Sequence, residues 1–143
     1  MTEVNFYSND AEKDKLKFSV IMAQYDNKWI MVRHKTRDTW EIPGGHIERG
    51  EEAREAASRE LYEETGAKEF QLEPVCVYSV RKNKGAESFG KLFYAKINEL
   101  GEFPDSEIEE IKFVDEISGA LTYPDIQPML ADKVQEYLLQ KNK

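Results

Sequence analysis

Cysteine occurs once in the 143 residues, at Cys76. An internal disulfide is therefore excluded, and the flanking Val75 and Val77 point to a buried, inert thiol rather than a nucleophile. No apolar run approaches the roughly 20 residues of a membrane span, and the polar start Met1-Thr2-Glu3 is unlike a secretory signal. Positive charge is also scarce: Lys and Arg total 20 against 28 Asp and Glu, a net charge of −8. That balance argues against a binder of duplex nucleic acid, which presents a basic surface. Repeats, low-complexity tracts and linkers are missing as well. What remains, 40% hydrophobic and 34% charged, reads as one globular domain over residues 1–143 with no membrane partner and a cytoplasmic home.

Residues 1–15 are polar without a clear period and read as an N-terminal arm. Leu16, Phe18, Val20 and Met22 then alternate with Lys17, Ser19 and Ile21, the period of a strand. Asp26-Asn27-Lys28 is turn material, and Trp29 to Arg33 returns as a second strand. Trp40 to Ile42 is a short strand that ends at Pro43-Gly44-Gly45. Val75 to Arg81 and Phe89 to Ile97 read as strands around a polar loop, and Glu110 to Val114 as a short late strand. Asp125 to Leu139 carries Ile126, Met129, Leu130, Val134, Tyr137 and Leu138 at helical spacing after Pro124. Strands on both sides of one helix, closed by another helix, predict an α/β fold with a mixed sheet between helices.

The chemistry gathers in the helix expected at about 52–65. At about 100° per residue, Glu60, Glu63 and Glu64 share one arc with, or bordering on, Ala53, Ala56, Ala57 and Leu61, while Arg54, Glu55, Ser58, Tyr62 and Thr65 lie opposite. Charge runs on helices are usually solvated faces. Here the polar side is already filled, so the three carboxylates turn inward, where they repel each other unless a cation lies between them. Hard oxygen donors of this kind suit Mg²⁺, with Mn²⁺ able to substitute. Gly66 stands where a helix closes in the left-handed conformation.

Gly45, five residues, Glu51, seven residues and then Arg59-Glu60-Leu61-Tyr62-Glu63-Glu64-Thr65-Gly66-Ala67 resembles the Nudix box of the Nudix hydrolases, MutT-like members included. Ala67, smaller than the usual aliphatic residue, is the one mild departure. The resemblance extends in layout over about residues 16–140. It implies an α/β/α sandwich and a metal-dependent pyrophosphohydrolase. By the same resemblance Glu60, Glu63 and Glu64 are metal ligands, Glu60 occupies the general-base position, and the Gly44 carbonyl is a further ligand. Arg59 would anchor the carboxylates and Glu51 brace the loop. Some relatives draw another acidic ligand from the loop before a late strand. Asp105, Glu107, Glu109 and Glu110 lie there, and Glu107 and Glu110 are the candidates.

The reaction so implied is attack of water on a diphosphate bond in a nucleoside diphosphate linked to another group. Arg33, Lys35 and Arg37 either supply positive charge at the mouth or form a solvated hairpin end. His34 and His46 can act as ligands or bases, although lone histidines are more often packing residues. Asp125 falls in a segment that resembles the base-reading segment of MutT-type nucleoside triphosphatases, or else caps the last helix. The substrate expected is a small nucleotide, a purine nucleoside triphosphate with oxidised guanine included, cleaved to monophosphate and pyrophosphate by a monomer or homodimer. Dinucleoside polyphosphates, ADP-ribose, RNA 5′ ends and a non-catalytic nucleotide-sensing module are the alternatives.

Overall fold

The computed structural model describes residues 1–142. Among them lie seven strands and two α-helices: β1 Thr2–Tyr7, β2 Leu16–Tyr25, β3 Lys28–His34, β4 Gly44–His46, α1 Ala53–Thr65, β5 Ala67–Lys82, β6 Glu87–Leu100, β7 Ile108–Val114 and α2 Gln127–Lys141. The sheet runs β1-β5-β6-β2-β3-β7, with β4 attached to β2. β2 and β6 pair in parallel and the remaining pairs are antiparallel. The mixed sheet is as expected.

Neighbouring residues of β2 divide the core between two faces. Ile21 and Ala23 pack with Ala57 and Leu61 of α1, together with Phe93 and Ala95 of β6. Met22 packs instead with Leu130 and Val134 of α2, along with Leu92 and Tyr94. One helix thus covers each face, the α/β/α arrangement. Leu61 is wholly buried, and burying such a side chain contributes about 2 kcal/mol. Cys76 is buried in the α2 layer, which pushes its thiol up to about 11.

Three expectations are corrected. Residues 1–15 are not an irregular arm: β1 pairs with β5 from Thr2↔Lys82 to Tyr7↔Val77, and residues 13–15 form a turn of 3-10 helix. Its Val4 and Phe6 turn inward while Glu3 and Asn5 stay exposed, a half-polar edge strand whose alternation is short. The expected strand at 40–42 is reduced to isolated bridges, Val32↔Glu41 and Trp40↔Leu121, and the strand lies beyond Pro43 at Gly44–His46. The last helix begins at Gln127 and ends at Lys141, with Pro128 in its first turn, where a missing N–H costs nothing.

The displaced strand matters for the site. β2 and β3 are joined by a tight turn with φ 52° at Asp26 and 65° at Asn27, conformations suited to a right-twisted hairpin. The two strands then part after only two registered pairs. Residues 41–46 enter the gap, bonded to Val32 on one side and to Ile21 and Val20 on the other. The wedge brings Glu41, Gly44 and Gly45 against α1.

Candidate active site

The helix α1 starts with a reciprocal cap: the Glu52 carboxylate accepts from the third-residue backbone, and Glu55 accepts from the Glu52 N–H at 3.0 Å. It closes at Gly66, φ 81°, where a Cβ would also meet the Glu102 carbonyl at 2.7 Å. Between these ends the helix offers Arg59, Glu60, Glu63 and Glu64 to the wedge.

Arg59 is the hub. Its Nε and Nη2 donate to the two oxygens of Glu51 at 2.7 and 2.9 Å, and its Nη1 donates to Glu60 Oε1 at 2.7 Å. Nη2 also reaches the His46 carbonyl at 3.1 Å. Glu51 holds the loop in turn, accepting the Glu48 N–H at 2.9 Å. The guanidinium and that N–H together bring the Glu51 carboxyl down to about 2. Anchoring by Arg59 and bracing by Glu51 were both expected.

Glu60 lies so close to Gly45 that a Cβ there would sit 2.7 Å from its carboxyl carbon. Burial raises the Glu60 carboxyl, Arg59 pulls it back, and Glu63 and Glu107 push it up again. Glu64 is deeper, its side chain 7% exposed, with Oε1 accepting the Gly44 N–H at 2.9 Å. Burial pushes it up to about 9 against that N–H, with Glu60, Glu41 and Glu107 adding to the rise. Glu63 stays 46% exposed, 3.6 Å from Arg59. The expected inward turn of three carboxylates therefore holds for Glu60 and Glu64, while Glu63 remains at the rim. Thr65, expected on the wet side, is buried and donates to the Leu61 carbonyl at 2.6 Å.

The sequence did not single out Glu41, and it left His34 open between a ligand or base and a surface or packing residue. Glu41 is nearly buried, and the His34 Nε2 lies 3.8 Å from it and 3.7 Å from Glu64. Glu107 Oε2 is 4.0 Å from the other ring nitrogen. An acidic residue flanked by Trp40 and Ile42 and followed by Pro43-Gly44-Gly45 was the available signal. Its meeting with His34 depends on the wedge and is not visible in any spacing.

These residues line a cavity of about 700 Å³, within the roughly 300–1,000 Å³ usual for ligand sites. Phe18, Val20, Tyr78, Tyr123, Gln127 and Leu130 line the same cavity, with Lys82 and Gly85 from the β5–β6 hairpin. Arg37 and Glu107 line the cavity. Arg33 does not: it donates to Glu110 Oε1 at 3.0 and 3.2 Å and to the Arg37 carbonyl at 2.9 Å, so Arg33 and Glu110 occupy each other on the β3–β7 surface. Lys35 faces Asp105 at 3.5 Å. Asp125 is exposed, outside the lining, and makes no side-chain cap; Gln127, two residues on, is buried and faces in.

Among the described residues no three His, Cys, Asp or Glu groups are gathered at ligating spacing. The donor chemistry nonetheless fits a hard divalent cation: the buried Glu64 and the part-buried Glu60 both carry raised pKa values, with Glu63 and Glu107 at the margin.

The sequence profile of the NUDIX domain family matches residues 14–132. The chain belongs to that family. Among relatives of this NUDIX chain is a candidate 8-oxo-dGTP diphosphatase, YtkD, of Bacillus subtilis (strain 168). It is 34% identical over 87 residues, 61% of this chain and 54% of the relative. An RNA pyrophosphohydrolase of Brucella anthropi is 61% identical over 33 residues, 23% of this chain and 19% of that protein. The NUDIX chain thus matches about half or less of the length of these curated relatives. In fold it is similar to a glutamate-to-alanine mutant of the Bacillus subtilis pyrophosphohydrolase BsRppH. The TM-score is 0.78 at 23% identity, covering 95% of this chain and 92% of that one. No helix of the described residues is long and apolar enough to cross a membrane.

Proposed function

We propose that this chain is a metal-dependent Nudix pyrophosphohydrolase, cleaving a purine nucleoside triphosphate, oxidised guanine included, to the monophosphate and pyrophosphate. The observation that carries this reading is that one cavity is lined both by carboxylates, Glu60 and Glu64, and by apolar and aromatic side chains, Val20, Leu130 and Tyr78. A nucleotide has the same two needs: cations for a polyanion, and apolar walls for a flat base.

Glu60, Glu63 and Glu64 would hold Mg²⁺ or Mn²⁺, with the Gly44 carbonyl and Glu107 as further donors, and the bound ion would polarise phosphoryl oxygens and acidify water. Glu60 accepts the proton of the attacking water. Arg59 orients that carboxylate, and Gly45 gives it room. Arg37 lines the cavity, where its guanidinium, which donates to Glu41 Oε1 at 2.7 Å, would meet the phosphate chain. Arg33 and Glu110 act outside it, as a pair that supports the loop through the Arg37 carbonyl. The enzyme acts in the cytoplasm as a monomer or homodimer.

A second reading, hydrolysis at RNA 5′ ends, is favoured by one feature: Lys82 at the end of β5 adds a positive charge to the cavity lining, which could meet a further phosphate. It is also the activity named for the Brucella anthropi relative.

The deciding experiment incubates the protein with Mg²⁺ and, separately, nucleoside triphosphates, 8-oxo-dGTP, ADP-ribose, dinucleoside polyphosphates and 5′-triphosphorylated RNA. Monophosphate and pyrophosphate are the expected products from a triphosphate. Hydrolysis of none of these, with either Mg²⁺ or Mn²⁺, rejects the enzyme reading in favour of a sensing module.

A further inference from the structure

Glu41 is a carboxylate in a place that a phosphate chain should avoid. It lines the same cavity as Glu60 and Glu64 and is nearly buried. A negative charge there repels a polyanion and costs desolvation, so it needs an offsetting partner. Two side chains converge on one of its oxygens. Arg37 Nη1 donates to Glu41 Oε1 at 2.7 Å, and His34 Nε2 lies 3.8 Å from the same atom. An oxygen already bonded to a guanidinium is poorly placed to bind a metal ion as well, since two positive charges would then meet on it.

The two sides of the Arg37–Glu41 contact differ in rigidity. The Glu41 N–H donates to the Val32 carbonyl at 3.0 Å, and its carbonyl accepts the Val32 N–H at 2.8 Å. Its side chain is 12% exposed, against 41% for that of Arg37. The Arg37 backbone is braced as well: its N–H donates to the His34 carbonyl at 3.0 Å, and its carbonyl accepts Arg33 Nη1 at 2.9 Å. The long side chain is fixed at its tip, between Glu41 and the Tyr123 ring, whose centroid lies 5.9 Å from the guanidinium carbon. An arginine left free has many rotamers, and a ligand must remove that freedom on binding. The contact with Glu41 uses Nη1 alone. A guanidinium has five N–H donors, so the fork keeps donors for phosphate oxygens.

We propose that Glu41 is a positioning residue: its carboxylate fixes the Arg37 guanidinium beside Tyr123, ready for the phosphate chain, and it acts on the substrate only through that arginine. The inference rests on the nucleotide substrate proposed above and adds how the arginine is held.

The test is a double-mutant cycle with Arg37→Ala, run on the triphosphate turned over fastest with Mg²⁺, with KM and kcat read separately. Glu41→Met removes the acceptor at similar volume and is expected to raise KM about tenfold or more while kcat stays within about threefold. Glu41→Gln keeps an acceptor oxygen and recovers part of the loss. It carries the cycle alone if circular dichroism shows the methionine variant unfolded. In the Arg37→Ala background either change should alter KM by less than about twofold. Losses that add, or an unchanged KM with Arg37 present, overturn the inference and leave the proposed function standing. So does a fall in kcat at unchanged KM, which makes Glu41 a base. Loss of the rise in melting temperature with Mg²⁺ also overturns it, making Glu41 a metal ligand. Absence of all hydrolysis by the wild type overturns the proposed function instead. The cycle is then read from equilibrium binding of guanosine triphosphate with Mg²⁺. A non-additive loss of affinity supports the inference there, and additive losses or no binding overturn it.

Discussion

Arg59 grips Glu51 with both arms, Nε on one carboxylate oxygen at 2.7 Å and Nη2 on the other at 2.9 Å, across eight residues of sequence. The pair joins the helix to the loop before it, and so fixes where Glu60 stands. Because the folded Glu51 carboxyl lies near 2 against an ordinary 4.5, the sign of its pH effect follows. Its contribution to stability is complete above about 4.5 and is lost as pH falls toward 2. Glu51→Gln is expected to flatten the acid limb of melting temperature against pH over that window. An unchanged acid limb counts against the bidentate pair as a stabilising contact.

Glu60→Gln is expected to lower turnover of the triphosphate substrate by two or more orders of magnitude, of the order seen on removing a general base. Its melting temperature should hold or rise, because one of several repelling carboxylates is gone. Single-turnover kinetics together with a thermal melt checks both halves, and near-normal turnover places the base elsewhere.

Cation dependence should appear in the fold as well as in turnover. An ion that binds only the folded chain at 100 times its dissociation constant stabilises it by about 2.7 kcal/mol. Mg²⁺ is therefore expected to raise the melting temperature of the wild type, and Glu64→Gln to reduce that rise. A rise of equal size in the variant removes Glu64 from the ligand set.

Gly45→Ala tests the close approach rather than the charge. The added methyl would meet the Glu60 carboxyl carbon at 2.7 Å and its oxygens at 2.8 and 2.9 Å. Glu60 must move, so turnover is expected to fall tenfold or more with the fold retained by circular dichroism. Full turnover would show that Glu60 acts equally well from another rotamer.

Glu107 and Glu110 separate cleanly. Glu107→Ala is expected to weaken turnover, since this carboxylate lines the cavity. Glu110→Ala leaves kcat unchanged, since it faces Arg33 on the outer surface. Steady-state kinetics at varied Mg²⁺ distinguishes the two, and equal losses would contradict the placement.

The sequence exposed those features that local rules determine. The helix over 53–65 and its closure at Gly66 follow from spacing along one helix and its flanks, while the anchoring by Arg59 and bracing by Glu51 were implied by the resemblance to the Nudix box. What it hid depends on chain segments meeting. Glu41 lines the cavity with the other carboxylates only because residues 41–46 wedge between β2 and β3. Gln127 lines the cavity and Asp125 stays exposed outside it, the helix starting at Gln127, two residues later than its periodicity suggests. Thr65 looked polar enough for solvent, but its hydroxyl is satisfied within the last helical turn and can be buried.

The parallel pairing of β2 with β6 has a temporal consequence. Leu16 must find Phe89, and Gln24 must find Lys96, so the central seam of the sheet joins chain ends about seventy positions apart. On a ribosome, α1 and its carboxylates emerge while that seam still lacks one side. A nascent chain halted before β6 would hold the acidic helix without the layer that buries Leu61 and Ala57 against Phe93 and Ala95. Pairings so distant in sequence slow folding.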